Sequence, residues 1–507
     1  MKIVTGSQMR EIDARTIKEG GISERTLIER AGRMAAEWVM RRFAAKGLRV
    51  VALAGKGHNG ADALVAGACL RRAGYAVKTI KAWQKGAMPA LTRSLQDDKR
   101  VLVLDGLFGI GLNRSIAGES MAMVRAVNSS QAVVVALDIP SGLDADTGEP
   151  RSAAVRADYT LTFGLPKRGL VEERAADVVG ELHALDIGFP ERFVAPAHGC
   201  GELLTWEEMA DWFPQRSRRA HKGDCGRVLV VGGSVGMAGA PALTARAALR
   251  AGAGLVTLVV PQSIYPISAV LAGAEVMTRP CADSGRGFFG ATALKELINL
   301  AETSDSVVLG MGLGRAPATR KLVEAWVAHG RKPLLVDADG LNLLADLRNG
   351  WKCRSDEMVV TPHPGEMARL CGMTVEAVQE DRLGVTADFV RRHQAVTVLK
   401  GARTVVGWMD EKAGVRLAVN ALVGNPAMAT AGSGDVLSGV IAALMARGLK
   451  ATDAARAGVF LHAVAGDLAV KGNASLIAGD LIDQLPAAVR EIEKQRFSFG
   501  HKSFHGI

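Results

Sequence analysis

The chain has 507 residues, 48% of them apolar and only 5% aromatic, with 58 glycines and a net charge of +10. Such a length suits two or three domains, and the glycine-rich, aromatic-poor composition favours close-packed α/β layers over a β-sandwich. The basic residues are dispersed and the few aromatics do not interleave with them, so the charge argues for no nucleic-acid partner and is met equally well by an anionic small molecule.

The N-terminus, MKIVTGSQMREIDART, lacks the apolar core of a signal peptide. No apolar run approaches the ~18 residues of a membrane span, so no membrane partner is expected. Six scattered cysteines form no C-x-x-C pair, which points to a reducing, cytoplasmic setting without disulfides or zinc.

LRVVALAG (48–55), RVLVLDG (100–106), AVVVALDIP (132–140) and DYTLTFG (158–164) read as buried strands separated by helical segments, the pattern of a parallel sheet. Ligands bind beyond the carboxyl ends of such strands, where Asp105 and Asp138 stand. GKGHNGADAL (55–64) holds a G-x-G-x-x-G between a strand and a helix, which suits a phosphate or an ordinary tight turn. The acid expected ~20 residues later in a dinucleotide fingerprint is missing, because AVKTIKAW offers Lys78 and Lys81 instead. Asn59 and Asp62 are ligand candidates, although helix capping also accounts for Asp62. DGLFGIGLNR (105–114) and DIPSGLDADTG (138–148) each place a glycine loop after a strand-end Asp, and the repetition favours a site.

Residues 190–225, with GFPERFVAPAHGCGE and QRSRRAHKGD, break the pattern and read as an interdomain linker and the entry to a second domain. The β-α scheme restarts at GRVLVVGGS (226–234) and continues through SVVLGMGLG (306–314), PLLVDADGLNLL (333–344), MVVTPHPGE (358–366) and AVTVLKGARTVV (395–406). Two prolines fix the backbone around His363, which suits a presented imidazole or a packed turn. Lys400 follows a strand, where it could meet phosphate or lie on the surface. In GNPAMATAGSGDVLSG (424–439) nearly every side chain around Asp435 is small. Gly432 and Gly434 leave amides bare at a helix start, where the dipole favours an anion, and Asp435 lies in the first turn. A carboxylate there can take a proton from a hydroxyl that attacks a phosphoryl group.

NPAMATAGSGDVLSG, KGART, TPHPGE, VVGGSVGMAGAP and GMGLG together resemble the NAD(P)HX dehydratases of the ribokinase-like superfamily, whereas GKGHNGADAL, DGLFGIGL and DIPSGLDADTG resemble the NAD(P)HX epimerase (YjeF N-terminal) domain. Fused in this order, over about residues 1–490, they resemble the bifunctional NAD(P)H-hydrate repair enzymes. The resemblance implies an α/β fold, with a Rossmann-like three-layer domain over 1–205 and a ribokinase-like domain over 215–495. It implies repair of nicotinamide nucleotides that have added water across C5–C6. One half interconverts the R and S hydrates at C6. The other dehydrates the S form at the expense of ADP, giving AMP and phosphate.

In the epimerase half the resemblance places the hydrate on His58, Asn59, Gly60, Ala61, Asp62, Gly109, Ile110, Gly111, Leu112, Asn113, Arg114, Ser115 and Asp138, with Asp138 catalytic. It places potassium on Asn59, Asp105 and Ser141. In the dehydratase half it places the hydrate on Ala240, Gly312, His363 and Asp435, with Asp435 as base. The nucleotide falls on Lys400, Gly401, Ala402, Arg403, Thr404 and Gly434, with Mg2+ as cofactor. NADHX or NADPHX and ADP are the expected partners, and a homo-oligomer the expected assembly.

HNGADA departs from the family's usual N-N-G-G-D-G at His58, Ala61 and Ala63, and Met311 stands where Pro is common. Asn59 and Asp62 are kept, so activity is expected. A ribokinase-like kinase would transfer phosphate to a stable product and would not need the first domain. A non-catalytic nucleotide-binding scaffold would not need Asn59, Asp105, Asp138 and Ser141 together.

Overall fold

Strands β2 (Arg49–Ala54), β3 (Ala76–Lys81), β4 (Val101–Gly106), β5 (Val133–Leu137), β6 (Tyr159–Phe163) and β7 (Glu181–Leu185) follow β1 (Lys2–Ile3) in a computed structural model that describes residues 1–96, 100–196, 199–213, 217–283, 285–347, 351, 357–471 and 475–500. The chain divides into two compact units, Met1–Leu203 and Leu204–Ile507.

In the first unit the six strands form a sheet in the order β3-β2-β4-β5-β6-β7, with every neighbouring pair parallel. Its central strands are apolar at nearly every position because both faces are covered. Successive side chains alternate faces. Val50, Ala52, Ala54, Leu102 and Leu104 join a core with helices Glu24–Arg42 and His58–Arg72. Val51, Leu53, Val101 and Val103 join the opposite core with helices Ala87–Gln96 and Gly118–Asn128. These are the three layers. Strand order reverses between β2 and β4, and a crevice opens at such a switch point beyond the strands' carboxyl ends.

The N-terminus is tied into this unit by β1, which pairs antiparallel with β8 (Gly201–Leu203), Lys2 opposite Glu202. Val4 N donates to Pro166 O at 3.0 Å, and Arg168 N donates to Val4 O at 2.8 Å. The stretch expected to be a linker therefore holds ordered elements: helix Glu191–Val194, β8 and helix Trp206–Trp212.

The second unit contains β9 (Arg227–Val231), β10 (Leu255–Pro261), β11 (Met277–Cys281), β12 (Ser306–Leu309), β13 (Leu334–Val336), β14 (Met358–Val360), β15 (Val396–Leu399), β16 (Thr404–Asp410) and β17 (Gly414–Asn420). Their order is β17-β16-β15-β14-β13-β12-β9-β10-β11, parallel from β15 to β11 and antiparallel across β15, β16 and β17. AVTVLKGARTVV is thus a hairpin that turns at Lys400–Arg403, not one strand. Order reverses between β9 and β12. Helices Ser433–Ala446 and Ala451–Ala469 are apolar almost all round because other elements enclose them. Gly439 permits a close crossing with helix Gly239–Arg250, since a Cβ there would stand 2.2 Å from Thr244 O. The polar tail beyond residue 500 lies outside the described residues.

Candidate active sites

A cavity of about 1080 Å³ opens at the switch point of the first unit. Of the residues expected to hold the hydrate, His58, Asn59, Asp62, Gly109, Ile110, Gly111, Leu112, Asn113, Arg114 and Asp138 line it. Gly60, Ala61 and Ser115 are not among its lining residues. Backbone packing explains Gly60, where a Cβ would stand 1.9 Å from Gly55 O. At Gly55 a Cβ would stand 1.9 Å from Leu107 O, so the loops after β2 and β4 touch through bare backbone. Gly57, the helix N-cap, faces open space and lines the cavity. Ala63 is buried in the sheet core, so its departure from the family pattern is a matter of packing.

Asn59, Asp105 and Ser141 meet behind the loop after β4. Ser141 Oγ donates to Asp105 Oδ1 at 2.7 Å, and Ser141 N donates to Asp105 Oδ2 at 2.8 Å. Asn59 Nδ2 donates to Phe108 O at 2.8 Å, while Phe108 N donates to Ser141 Oγ at 2.8 Å. The Asn59 carbonyl oxygen is buried and finds no hydrogen-bond partner. Burial raises the Asp105 carboxyl, and the bonds from Ser141 and Leu107 oppose that rise.

A second polar group faces the cavity itself. Asp138 has a φ of 62°, strained for a residue with a side chain. Its N donates to Leu161 O at 2.7 Å, and Phe163 N donates to its Oδ1 at 3.2 Å. Lys167, fully buried, donates to Asp138 Oδ1, to Thr162 Oγ1 at 2.9 Å and to Phe163 O at 3.3 Å. Burial, then the Asp138 and Asp13 carboxylates, push Asp62 well up. Capping does not explain Asp62, because the cap is Gly57 and Asp62 is buried further along the helix. Burial and then Asp138 push Asp13 up to about 6, against the pull of Lys167 and His58. His58 itself pairs with Glu24 at the exposed rim.

In the second unit the loops after β13, β14 and β15 face the first turn of helix Ser433–Ala446. Lys400 Nζ lies 2.8 Å from Asp337 Oδ1 and 3.8 Å from Glu366 Oε2. Ser438 Oγ donates to Asp337 Oδ2 at 2.7 Å. Burial, then Asp337, push Asp435 up to about 7, with Lys400 opposing and Glu366 adding to the rise. Burial acts to lower Lys400, but Asp337 and Glu366 outweigh it and the ammonium is held above its usual range. A Cβ on Gly434 would stand 3.3 Å from Lys400 Nζ, so the bare backbone lies directly over this cluster. Gly432, with φ of 86°, is the N-cap that turns the chain into the helix. Thr244 Oγ1 donates to Asp435 O at 3.0 Å and ties that turn to helix Gly239–Arg250.

His363 caps helix Pro364–Cys371. Its Nδ1 accepts from Gly365 N at 3.0 Å and from Glu366 N at 3.4 Å, leaving Nε2 3.4 Å from Glu366 Oε1. Burial and then Lys400 lower its pKa, so the ring is neutral near pH 7. Gly312, with φ of 63°, approaches Met237 O, and its own carbonyl accepts from Ser234 Oγ at 2.8 Å. Ala240 lies in the first turn of the helix that carries Thr244.

Within the expected nucleotide segment the side chains diverge. Gly401 and Ala402 are exposed, whereas Arg403 is buried with its guanidinium donating to Ala421 O. Arg382, also buried, donates to the carbonyls of Leu399 at 3.1 Å, Lys400 at 3.2 Å and Arg403 at 3.4 Å. Lys400 points into the carboxylate cluster rather than outward. Thr404 Oγ1 donates to Gly401 O at 2.9 Å.

Asp337, Glu366, Asp13 and Lys167 escaped the sequence reading as site residues. Asp337 ends the strand PLLVD, the same signal that marked Asp105 and Asp138. Glu366 completes a capping box with His363. Asp13 and Lys167 carry no local signal.

Comparison with known proteins agrees with this division. The family model described as NAD(P)H-hydrate dehydratase matches residues 228–487, and that of the YjeF-related protein N-terminus matches residues 24–169. A bifunctional NAD(P)H-hydrate repair enzyme of Moorella thermoacetica is 39% identical over 98% of this chain and 98% of its own length. That of Escherichia coli is 36% identical over 86% of this chain and 84% of its own. The solved structure of an ADP/ATP-dependent NAD(P)H-hydrate dehydratase from Bacillus subtilis, co-crystallised with ATP and Mg2+, is 26% identical, with a TM-score of 0.50 over 58% of this chain and 99% of that one. With an α/β fold of two units, one on a parallel sheet and one on a mostly parallel sheet, and similarity along almost its whole length, the chain belongs to the family of bifunctional NAD(P)H-hydrate repair enzymes.

Proposed function

We propose that the first unit epimerises R and S hydrates of NADH and NADPH at C6 and that the second dehydrates the S form with ADP. The observation that carries the reading is Asp435, pushed up to about 7 at a glycine-bared helix start beside Lys400, Asp337 and Glu366. A base is most effective when its pKa lies near the working pH. Asp435 takes the C6 hydroxyl proton as that oxygen attacks the β-phosphorus of ADP, and AMP departs. Phosphate then leaves C6 as a proton leaves C5, which restores the C5–C6 double bond. Amides around Gly434 and the exposed backbone of Gly401 and Ala402 receive the nucleotide's phosphates. His363, neutral and held by its cap bonds, together with Ala240 and Gly312, borders the hydrate.

Among the described residues no group of three His, Cys, Asp or Glu side chains could hold a metal ion unaided. Mg2+ needs only one or two carboxylates besides nucleotide phosphates, and Asp337 and Glu366 fit that demand. When bound, the ion supplies charge neutralisation at the phosphates. In the first unit the orphaned Asn59 oxygen, Asp105, Ser141 Oγ and Phe108 O form an oxygen-donor set with a single carboxylate, which suits potassium. Such an ion would fix the loop at Gly109–Ser115 that borders the hydrate. Asp138, positioned by Lys167, is a catalytic carboxylate of the epimerisation.

The exposed apolar side chains of Ile267, Val270, Leu271 and Met277, around the edge strand β11, support a homo-oligomer. Cys69, Cys200, Cys225, Cys281 and Cys371 are free thiols, which supports a cytoplasmic setting. Among the described residues no helix is long and apolar enough to cross a membrane.

The test is stoichiometric. S-hydrate and ADP should yield NADH, AMP and phosphate in equal amounts. A phosphorylated hydrate that persists would indicate a kinase instead.

A further inference from the structure

One wall of the first unit's cavity is built by its N-terminal helix. Helix Gly6–Lys18 turns Met9, Arg10, Asp13, Ala14 and Ile17 toward it, at the spacing of one helical face. Several bonds fix that helix. Thr5 and Gln8 form a capping box, and Gly6 N donates to Asp146 Oδ1 at 2.6 Å. The bonds that join Val4 to Pro166 and Arg168 bracket Lys167, the lysine bonded to Asp138. Met9 and Ile12 are buried with Val4, Leu165 and Phe193. Asp13 is therefore held, by a rigid mount, in the cavity that also contains Asp138.

Epimerisation at C6 needs two proton transfers on two faces of the ring. Hydroxide is a poor leaving group and must be protonated as the C6–O bond breaks. The nitrogen lone pair at N1 then forms an N1=C6 double bond, leaving a cation. Water adds from the other face. Its oxygen forms the new C6–O bond, the N1=C6 pair returns to nitrogen, and its extra proton goes to a base. One carboxylate held by Lys167 cannot serve both faces.

We infer that Asp13 is a catalytic residue of epimerisation, giving its proton to the departing C6 oxygen while the Asp138 carboxylate takes the proton from the entering water. The inference rests on the epimerase reading of this unit. One proton has moved from Asp13 to Asp138 after each inversion; solvent returns it, and the reverse reaction exchanges the two roles. Two carboxyl groups in unlike surroundings, one facing a buried lysine and one not bonded to it, are a means of separating acid from base. Asp13 is pushed up to about 6 by burial and by Asp138, with Lys167 and His58 opposing. The other charged groups that line the cavity are Asp62, Glu24, Arg10, Lys56 and Arg114.

The experiment uses the full chain and pure R-hydrate, with R and S separated by chromatography. Asp13→Asn should lower kcat for epimerisation about 10²–10⁴-fold, with KM changed less than about twofold. Its dehydration of S-hydrate should be unchanged. Asp13→Glu should recover part of the rate. Wild-type epimerisation should fall as pH rises above about 6, where the acid is lost, and Asp13→Glu should displace that limb. Asn-variant epimerisation at near wild-type kcat overturns the inference, as does a Glu variant with an unmoved limb. The Glu variant keeps the test decisive if Asn disturbs folding. Wild type that binds hydrate without inverting it overturns the epimerase reading itself, a different result from an active wild type with an equally active Asn variant.

Discussion

The two units solve one architectural problem twice and then part company in how they use lysine. Each places its polar groups at the switch point of a parallel sheet, beyond the strands' carboxyl ends. Each strains a residue other than glycine at the key strand end, Asp138 with φ of 62° and Ala338, next to Asp337, with φ of 52°. In the first unit Lys167 is fully buried and bonded to one carboxylate, Asp138, beside a large cavity. In the second Lys400 is shared by Asp337 and Glu366 and also feels Asp435, under the bare start of a helix. A lysine devoted to one acid fixes that acid's orientation toward the cavity. A lysine spread over several does not offset the burial and the Asp337 charge that push Asp435 up to about 7.

Breaking the second arrangement should give the largest effect. Asp435→Asn should cost about 10²–10⁴-fold in dehydration and leave epimerisation intact, as measured by the two assays on one sample. An undiminished rate would remove Asp435 as base. The same substitution should stabilise the second unit at pH 8. Its carboxyl is raised on folding, so it opposes folding above about 7 and not below the unfolded value. Relief on the order of 2 kcal/mol is expected, read from denaturant unfolding.

Breaking the first arrangement should be seen in stability. Lys167→Met leaves Asp138 near the Asp13 and Asp62 carboxyls without its ammonium partner, at a cost of about 3 kcal/mol. Unfolding of the first unit should shift far more than that of the second.

The pH profiles sharpen the contrast. Dehydration should rise with pH through about 7 as Asp435 loses its proton. A dehydration rate that is flat between pH 6 and 8 would contradict a base at this position.

The smallest effect concerns the ion. Replacing sodium by potassium should raise the melting temperature of the first unit by a few degrees, about 1–2 kcal/mol, and Asp105→Ala should abolish the response. A melting temperature indifferent to the cation would dismiss the oxygen cluster as an ordinary hydrogen-bonded loop.

Local sequence carried much of this. Apolar runs ending in Asp marked β4 and β5, and a glycine-stripped helix start marked Asp435. It could not reveal Asp13 and Lys167, because β1 and β8 hold the N-terminal helix in place across about 200 residues of chain. Arg403 was expected beside the nucleotide, and the Ala421 carbonyl draws its side chain inside. Gly60 looked like a ligand glycine and serves the contact with Gly55. In each case a contact distant in sequence decides the side chain's direction.

The most direct test of two cooperating units is recovery from a mixture. Hydrated NADH containing both R and S forms, given to the full chain with ADP and Mg2+, should regain all of its dihydronicotinamide absorbance, while Asp138→Asn should stop quickly at the S fraction. Recovery that halts at the S fraction in the wild type, or none at all, would contradict the account.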